Sequence, residues 1–164
     1  MNPIFVRDVY DPEGRLSLLV RADEPLEDVL RRFAALETCL RSIFVTTPDR
    51  LLIGVITRAD MLHWARLRLG TALRGLTSEP ESMLRLVQLL RACSAGDAIH
   101  PESDKAAVRL DETLDVALQR MLLVDLIAIP VVDHEGRVQG DLTFSRVLWY
   151  LLDIERNISA PPGV

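Results

Sequence analysis

Apolar residues along this chain follow a helical rhythm and then a strand-like one, and the same succession is written twice. The spacing Leu26, Val29, Leu30, Phe33 is that of a helix burying one face, and Leu114, Ala117, Leu118, Met121 repeats it. Asp23-Glu24-Pro25 and Asp111-Glu112-Thr113 precede the two stripes, supplying capping oxygens and, in the first, a proline suited to an opening turn. Two β-rich runs follow each stripe: Ser42–Thr46 with Leu51–Thr57, and Ile127–Val132 with Arg137–Thr143. Thr47-Pro48-Asp49-Arg50 and Asp133-His134-Glu135-Gly136 separate the runs at hairpin length. A closing helix is predicted from Arg58 to about Leu69 and from Phe144 to about Ile154.

The repeat extends beyond rhythm. Asp8-Val9-Tyr10-Asp11-Pro12-Glu13 aligns with Asp97-Ala98-Ile99-His100-Pro101-Glu102, and Val20-Arg21-Ala22-Asp23-Glu24 with Val108-Arg109-Leu110-Asp111-Glu112. Ile43-Phe44-Val45 matches Ile129-Pro130-Val131, and Gly54-Val55-Ile56-Thr57 matches Gly140-Asp141-Leu142-Thr143, always about 87 residues apart. Each copy reads strand, helix, strand, strand, helix, an α/β (α+β) unit. A core of about 60 residues is marginal alone, so the copies are expected to pack sheet to sheet about a pseudo-twofold axis. The expected division is 1–69 for the first unit, 70–95 for a helical insert, 96–154 for the second unit and 155–164 for a disordered tail. In the insert, Thr77-Ser78-Glu79-Pro80 marks a helix start and Met83, Leu86, Val87 and Leu90 form an apolar stripe at helical spacing. That helix either covers the module or contacts a partner.

Composition narrows the class. The chain has 164 residues, 49% of them hydrophobic and 26% charged, ordinary values for a globular protein. Its apolar runs fall well short of the roughly 20 residues a membrane span needs. Met1-Asn2-Pro3-Ile4 lacks the basic start of a signal peptide, so a cytoplasmic address is expected. A net charge of −5 disfavours nucleic acid. Lys105 is the single lysine among many arginines, a bias that suits phosphate recognition and a GC-rich genome equally. Cys39 and Cys93 form no C-x-x-C pair and are expected to be buried fillers. His63, His100 and His134 have no second ligand at metal spacing. No nucleophile or P-loop motif occurs, so catalysis is not expected.

Ala128-Ile129-Pro130-Val131-Val132-Asp133-His134-Glu135-Gly136 and Gly54-Val55-Ile56-Thr57-Arg58-Ala59-Asp60, in a twice-repeated order, resemble the CBS domain in a tandem pair, a Bateman module. The resemblance covers roughly residues 5–69 and 95–153. It implies a regulatory module that needs no cofactor and holds AMP, ADP, ATP or S-adenosylmethionine between the copies. Homodimerisation and control of an enzyme or transporter are implied too. The alternative is a structural dimerisation adaptor with degenerate clefts.

The resemblance assigns Thr57 and Asp60 to the ligand, the acid accepting from both ribose hydroxyls and the hydroxyl and helix amides meeting phosphate. A capping pair, Thr57 at N-cap and Asp60 at N3, is the plain alternative. Arg58 and Arg41 are candidate phosphate contacts, and Ser42, Ile43 and Phe44 candidate walls for adenine, with Phe44 replacing the family's usual proline. The second candidate cleft comprises Thr143, Arg146, Ala128 and His100. There Arg146 stands where the ribose-binding acid belongs, and a guanidinium has donors only. Asp23, Glu24, Glu27 and Asp28 are similar to an acidic cluster of magnesium-sensing relatives, or are a dipole-matched first turn. Trp64 and Trp149-Tyr150 sit at comparable places on the closing helices, suited either to a dimer interface or to burial.

Overall fold

The computed structural model describes residues 3–15, 17–36, 42–70 and 80–159. The first copy consists of β1 (Ser17–Arg21), α1 (Leu26–Ala35), β2 (Ser42–Thr46), β3 (Leu52–Ile56) and α2 (Arg58–Arg68), followed by the insert helix α3 (Pro80–Arg91). The second copy consists of β4 (Val108–Arg109), α4 (Leu114–Val124), β5 (Ala128–Val132), β6 (Val138–Thr143) and α5 (Phe144–Ser159). In each, the first strand runs parallel to the second and the second antiparallel to the third. The predicted strand–helix–strand–strand–helix units are therefore present, as two three-stranded sheets.

Register repeats along with order. Ile43 faces Ile56 as Ile129 faces Leu142, and the pairing shifts at the same point, between Val45 and Thr46 and between Val131 and Val132. Strands β2 and β5 are buried along their whole length because helices cover one face and the other sheet covers the other. Phe44 and Val55 pack with Ile129, Val131 and Leu142 in one core that joins the copies. Ile43, Val45 and Ile56 belong to a separate core under α1 and α3.

The hairpin turns meet at the pseudo-twofold axis. Leu52 N–H donates to Gly136 O and Val138 N–H donates to Arg50 O, both at 3.0 Å. Arg50 and Gly136 hold equivalent left-handed conformations, φ 66° and 82°.

The segments ahead of each first strand are exchanged. Residues 4–7 run along the second copy, where Leu114 N–H donates to Ile4 O and Val6 N–H to Glu112 O, both at 2.9 Å. Residues 93–96 do the same for the first copy, through Leu26 N–H to Cys93 O and Ala95 N–H to Glu24 O, both at 2.9 Å. Each copy thus carries the other's leading segment as part of its wall.

The structure resolves one open point and corrects two expectations. In α3 the inward residues are Leu86 and Leu89, whereas Met83, Val87 and Leu90 are exposed. The apolar arc of the helix is wide, Met83, Leu84, Leu86, Val87, Leu89 and Leu90, so periodicity admits more than one stripe. Cys93 is exposed just beyond α3, while Cys39 lies outside the described residues. Helix α5 continues past 154 to Ser159, for no proline or glycine interrupts it before Pro161; residues 160–164 lie outside the described residues. Among the described residues no helix is long and apolar enough to cross a membrane.

Candidate functional site

Thr57 ends β3 and caps α2. Its hydroxyl accepts from Asp60 N–H at 3.2 Å, and Asp60 Oδ2 accepts from Thr57 N–H at 3.0 Å and from the Thr57 hydroxyl at 2.7 Å. The capping pair is therefore formed, and it fixes the carboxylate at the helix mouth. Asp60 is 2% exposed. Nδ1 of His100 lies 3.1 and 3.2 Å from its two oxygens, and Arg85 of α3 reaches Oδ1 from Nε at 3.0 Å and Nη2 at 2.8 Å. Burial alone would raise this carboxyl, but hydrogen bonds from His100, the Thr57 hydroxyl and N–H, and Arg85 lower it to about 2.

Arg85 is the residue that sequence reasoning missed. Its remaining N–H groups go to Ala98 O at 2.8 Å, Ile99 O at 3.0 Å and Gln88 Oε1 at 3.0 Å. The guanidinium, with five donors, thus has an acceptor at each nitrogen. The insert has no counterpart in the repeat, so no alignment of the two copies points to it.

His100 was expected in the second cleft, but it belongs to the first. The exchange of leading segments brings residues 96–103 across β3, where His100 N–H donates to Val55 O at 2.8 Å and the Ser103 hydroxyl accepts from Val55 N–H at 2.8 Å. Gly54 makes the approach feasible, because a Cβ there would lie 2.4 Å from Ile99 Cγ2 and 2.9 Å from Ser103 Oγ.

The other expected residues disperse. Ile43 and Phe44 point to opposite faces of β2 and into different cores, so they form no single wall. Phe44 reaches the edge of a cleft of about 210 Å³ shared with Gly14, Ser17, Arg50 and Gly140. Ser42 is buried at the axis, its hydroxyl 3.4 Å from Ala128 O, and Ala128 pairs across the sheet with Thr143. Arg58 is exposed in the first turn of α2, and Arg41 lies outside the described residues.

In the second copy Thr143 accepts from Arg146 N–H at 3.4 Å, as Thr57 does from Asp60. Arg146 donates from Nε to Val9 O at 3.0 Å and places Nη1 3.3 Å from Asp11 Oδ2. Asp11 also accepts from Glu13 N–H and from Arg15; burial opposes, but those bonds and Arg146 lower its carboxyl below the ordinary value. Its backbone pairs with Asp141, N–H to O at 2.7 and 3.0 Å, across Gly140.

Asp11 aligns with His100 and Arg146 with Asp60, so the polarity is inverted: the acid sits on the helix in the first copy and on the exchanged segment in the second. In the first copy the carboxylate is therefore carried by the closing helix itself, beside its capping threonine.

The acidic cluster has a simpler use. Asp23, Glu24, Glu27 and Asp28 pair with Arg21, Arg32, Arg68 and Arg31 respectively. Among the described residues no group of three His, Cys, Asp or Glu is arranged to hold a metal.

The CBS domain family model matches the chain twice, over residues 7–66 and 96–153. CBSX2 from Arabidopsis thaliana, solved in complex with AMP, is 22% identical; the match covers 93% of this chain and 99% of that one, with a TM-score of 0.68. The cytosolic domain of the Mg2+ channel MgtE, solved with ATP, is 24% identical over 90% of this chain and 48% of that one, TM-score 0.60. The CBS domain pair of protein MJ0100, solved with 5'-methylthioadenosine and S-adenosyl-L-methionine, is 13% identical over 93% and 99%, TM-score 0.62. No curated protein matches the chain by sequence.

Proposed function

The chain belongs to the CBS-domain family as a tandem pair, and from that premise we propose that it is a regulatory ligand-sensing module. An adenosine-containing ligand (AMP, ADP, ATP or S-adenosylmethionine) binds at Asp60, between α2 and the exchanged segment. It favours one arrangement of the copies, and a partner or attached enzyme or transporter reads that bias.

One observation carries this reading: a carboxylate lowered to about 2 and 2% exposed stands at a helix mouth against the other copy's segment. Both oxygens already accept from protein donors, so a ligand must take over one of those places, and a ribose diol offers two donors on adjacent carbons that could replace the Arg85 pair. Relatives of the same fold solved with AMP, ATP and S-adenosyl-L-methionine support that ligand class. Isothermal titration with the four ligands tests it. Binding that weakens at least tenfold in Asp60→Asn is expected, and no heat with any of the four removes the nucleotide assignment.

A dimerising adaptor with closed clefts is the second reading, and α5 favours it. Trp149 is 71% exposed beside exposed Leu148 and Leu152, an apolar face suited to a second copy. A dimer in light scattering, together with a melting temperature indifferent to all four nucleotides, would select the adaptor.

A further inference from the structure

We propose that α3 is an internal latch on the Asp60 site, with the Arg85 guanidinium occupying the place of the ligand's ribose. This deepens the nucleotide reading and rests on it. Asp60 Oδ1 accepts from two nitrogens of Arg85, so a diol cannot donate to that oxygen until Arg85 withdraws.

The latch is built to be released. Helix α3 lies against α2 and the turn at Gly96–Ala98, and its anchoring side chains are few. Leu86 and Leu89 are buried, while Met83, Leu84, Val87 and Leu90 face outward. Leu89 closes over Trp64, Met61 and Ile56, and the space beneath is only about 10 Å³, too small for any ligand. Opening therefore requires α3 to move as a body, carrying Arg85 away from Asp60 and from the carbonyls of Ala98 and Ile99 together. Those two carbonyls belong to the segment that precedes the second copy, so release of Arg85 also loosens a tie between the copies.

Among the described residues the second copy makes the corresponding contact without an inserted helix. Its cation is Arg146, on α5 itself, held to Val9 O and Asp11.

Linkage fixes the consequence. If docked α3 weakens the ligand by a given factor, the ligand weakens α3 docking by the same factor. The exposed outer face of α3 would then report occupancy at the surface.

The test pairs titration of AMP, ADP, ATP and S-adenosylmethionine into wild type and Arg85→Ala with amide hydrogen exchange over residues 80–91. Nucleotide affinity about tenfold tighter in Arg85→Ala, with faster exchange of α3 in wild type on adding nucleotide, is the expected result. Equal or weaker affinity in Arg85→Ala, with α3 exchange unchanged by ligand, overturns the latch and leaves the nucleotide site standing. Silence toward all four ligands in both proteins overturns site and latch together. Leu86→Ala loosens α3 without touching Asp60; it should tighten binding likewise, and it serves if Arg85→Ala does not fold.

Discussion

The two copies share backbone register, turn conformation and exchanged segments, yet they place opposite charges at the mouth of the closing helix. In the first, Asp60 on α2 meets His100 and Arg85; in the second, Arg146 on α5 meets Asp11. Each arrangement pairs its carboxylate with an arginine, more deeply buried in the first copy than in the second. What distinguishes them is what each can offer a visitor. A carboxylate on the helix accepts hydrogen bonds and a guanidinium there donates them, so the copies keep one scaffold and reverse the charge at this position.

The contrast can be broken first at the glycines. A Cβ at Gly140 would lie 2.0 Å from Asp11 O, backbone that cannot step aside, whereas one at Gly54 meets the side chains of Ile99 and Ser103. Gly140→Ala is expected to lower stability by about 4 kcal/mol and Gly54→Ala by about 2 kcal/mol, read by urea denaturation. Equal losses would mean that the two crossings are equally compliant.

The next largest effect concerns the ion pairs. Asp60→Ala strands Arg85, whose side chain is only 12% exposed, and should cost about 3 kcal/mol. Asp11→Ala leaves Arg146 and Arg15, 41% and 67% exposed, to water and should cost about 1 kcal/mol.

Acid separates them further. Because folding depresses the Asp60 carboxyl from 3.8 to about 2, its contribution is complete above about pH 4 and is lost as pH falls through 2. That contribution is roughly 2 kcal/mol. Denaturation midpoints between pH 2 and 5 should therefore fall more steeply for wild type than for Asp60→Asn.

The smallest effect lies at the turns. Gly136→Ala, at φ 82°, should cost about 1 kcal/mol. Arg50→Gly should change stability by less than about 0.5 kcal/mol, since relief at φ 66° offsets loss of the Arg50 bond to Val138 O. A large loss in Arg50→Gly would show that the side-chain bond, not the backbone, sets that turn.

Much of this was legible in the residues. Strand β2 falls at Ser42–Thr46 as the pattern predicts, and the helices open after Pro25, Thr57, Thr113 and Thr143, because caps and apolar spacing are local. The Thr57–Asp60 pair was legible for the same reason. Exchange of the leading segments was not, since it is a choice between two similar surfaces; hence His100 was expected beside Arg146. Nor was Arg85, which lies on a helix whose apolar residues leave its inward face undetermined. The inverted partner Asp11 was within reach, already aligned with His100 in the repeat.

The most direct measurement is a crystal structure of the chain grown with AMP. One nucleotide per chain is expected, its ribose hydroxyls on Asp60 and Arg85 withdrawn, with no nucleotide beside Arg146. A ribose seated at Arg146, or Arg85 still on Asp60 with nucleotide bound elsewhere, would contradict the division of labour between the copies.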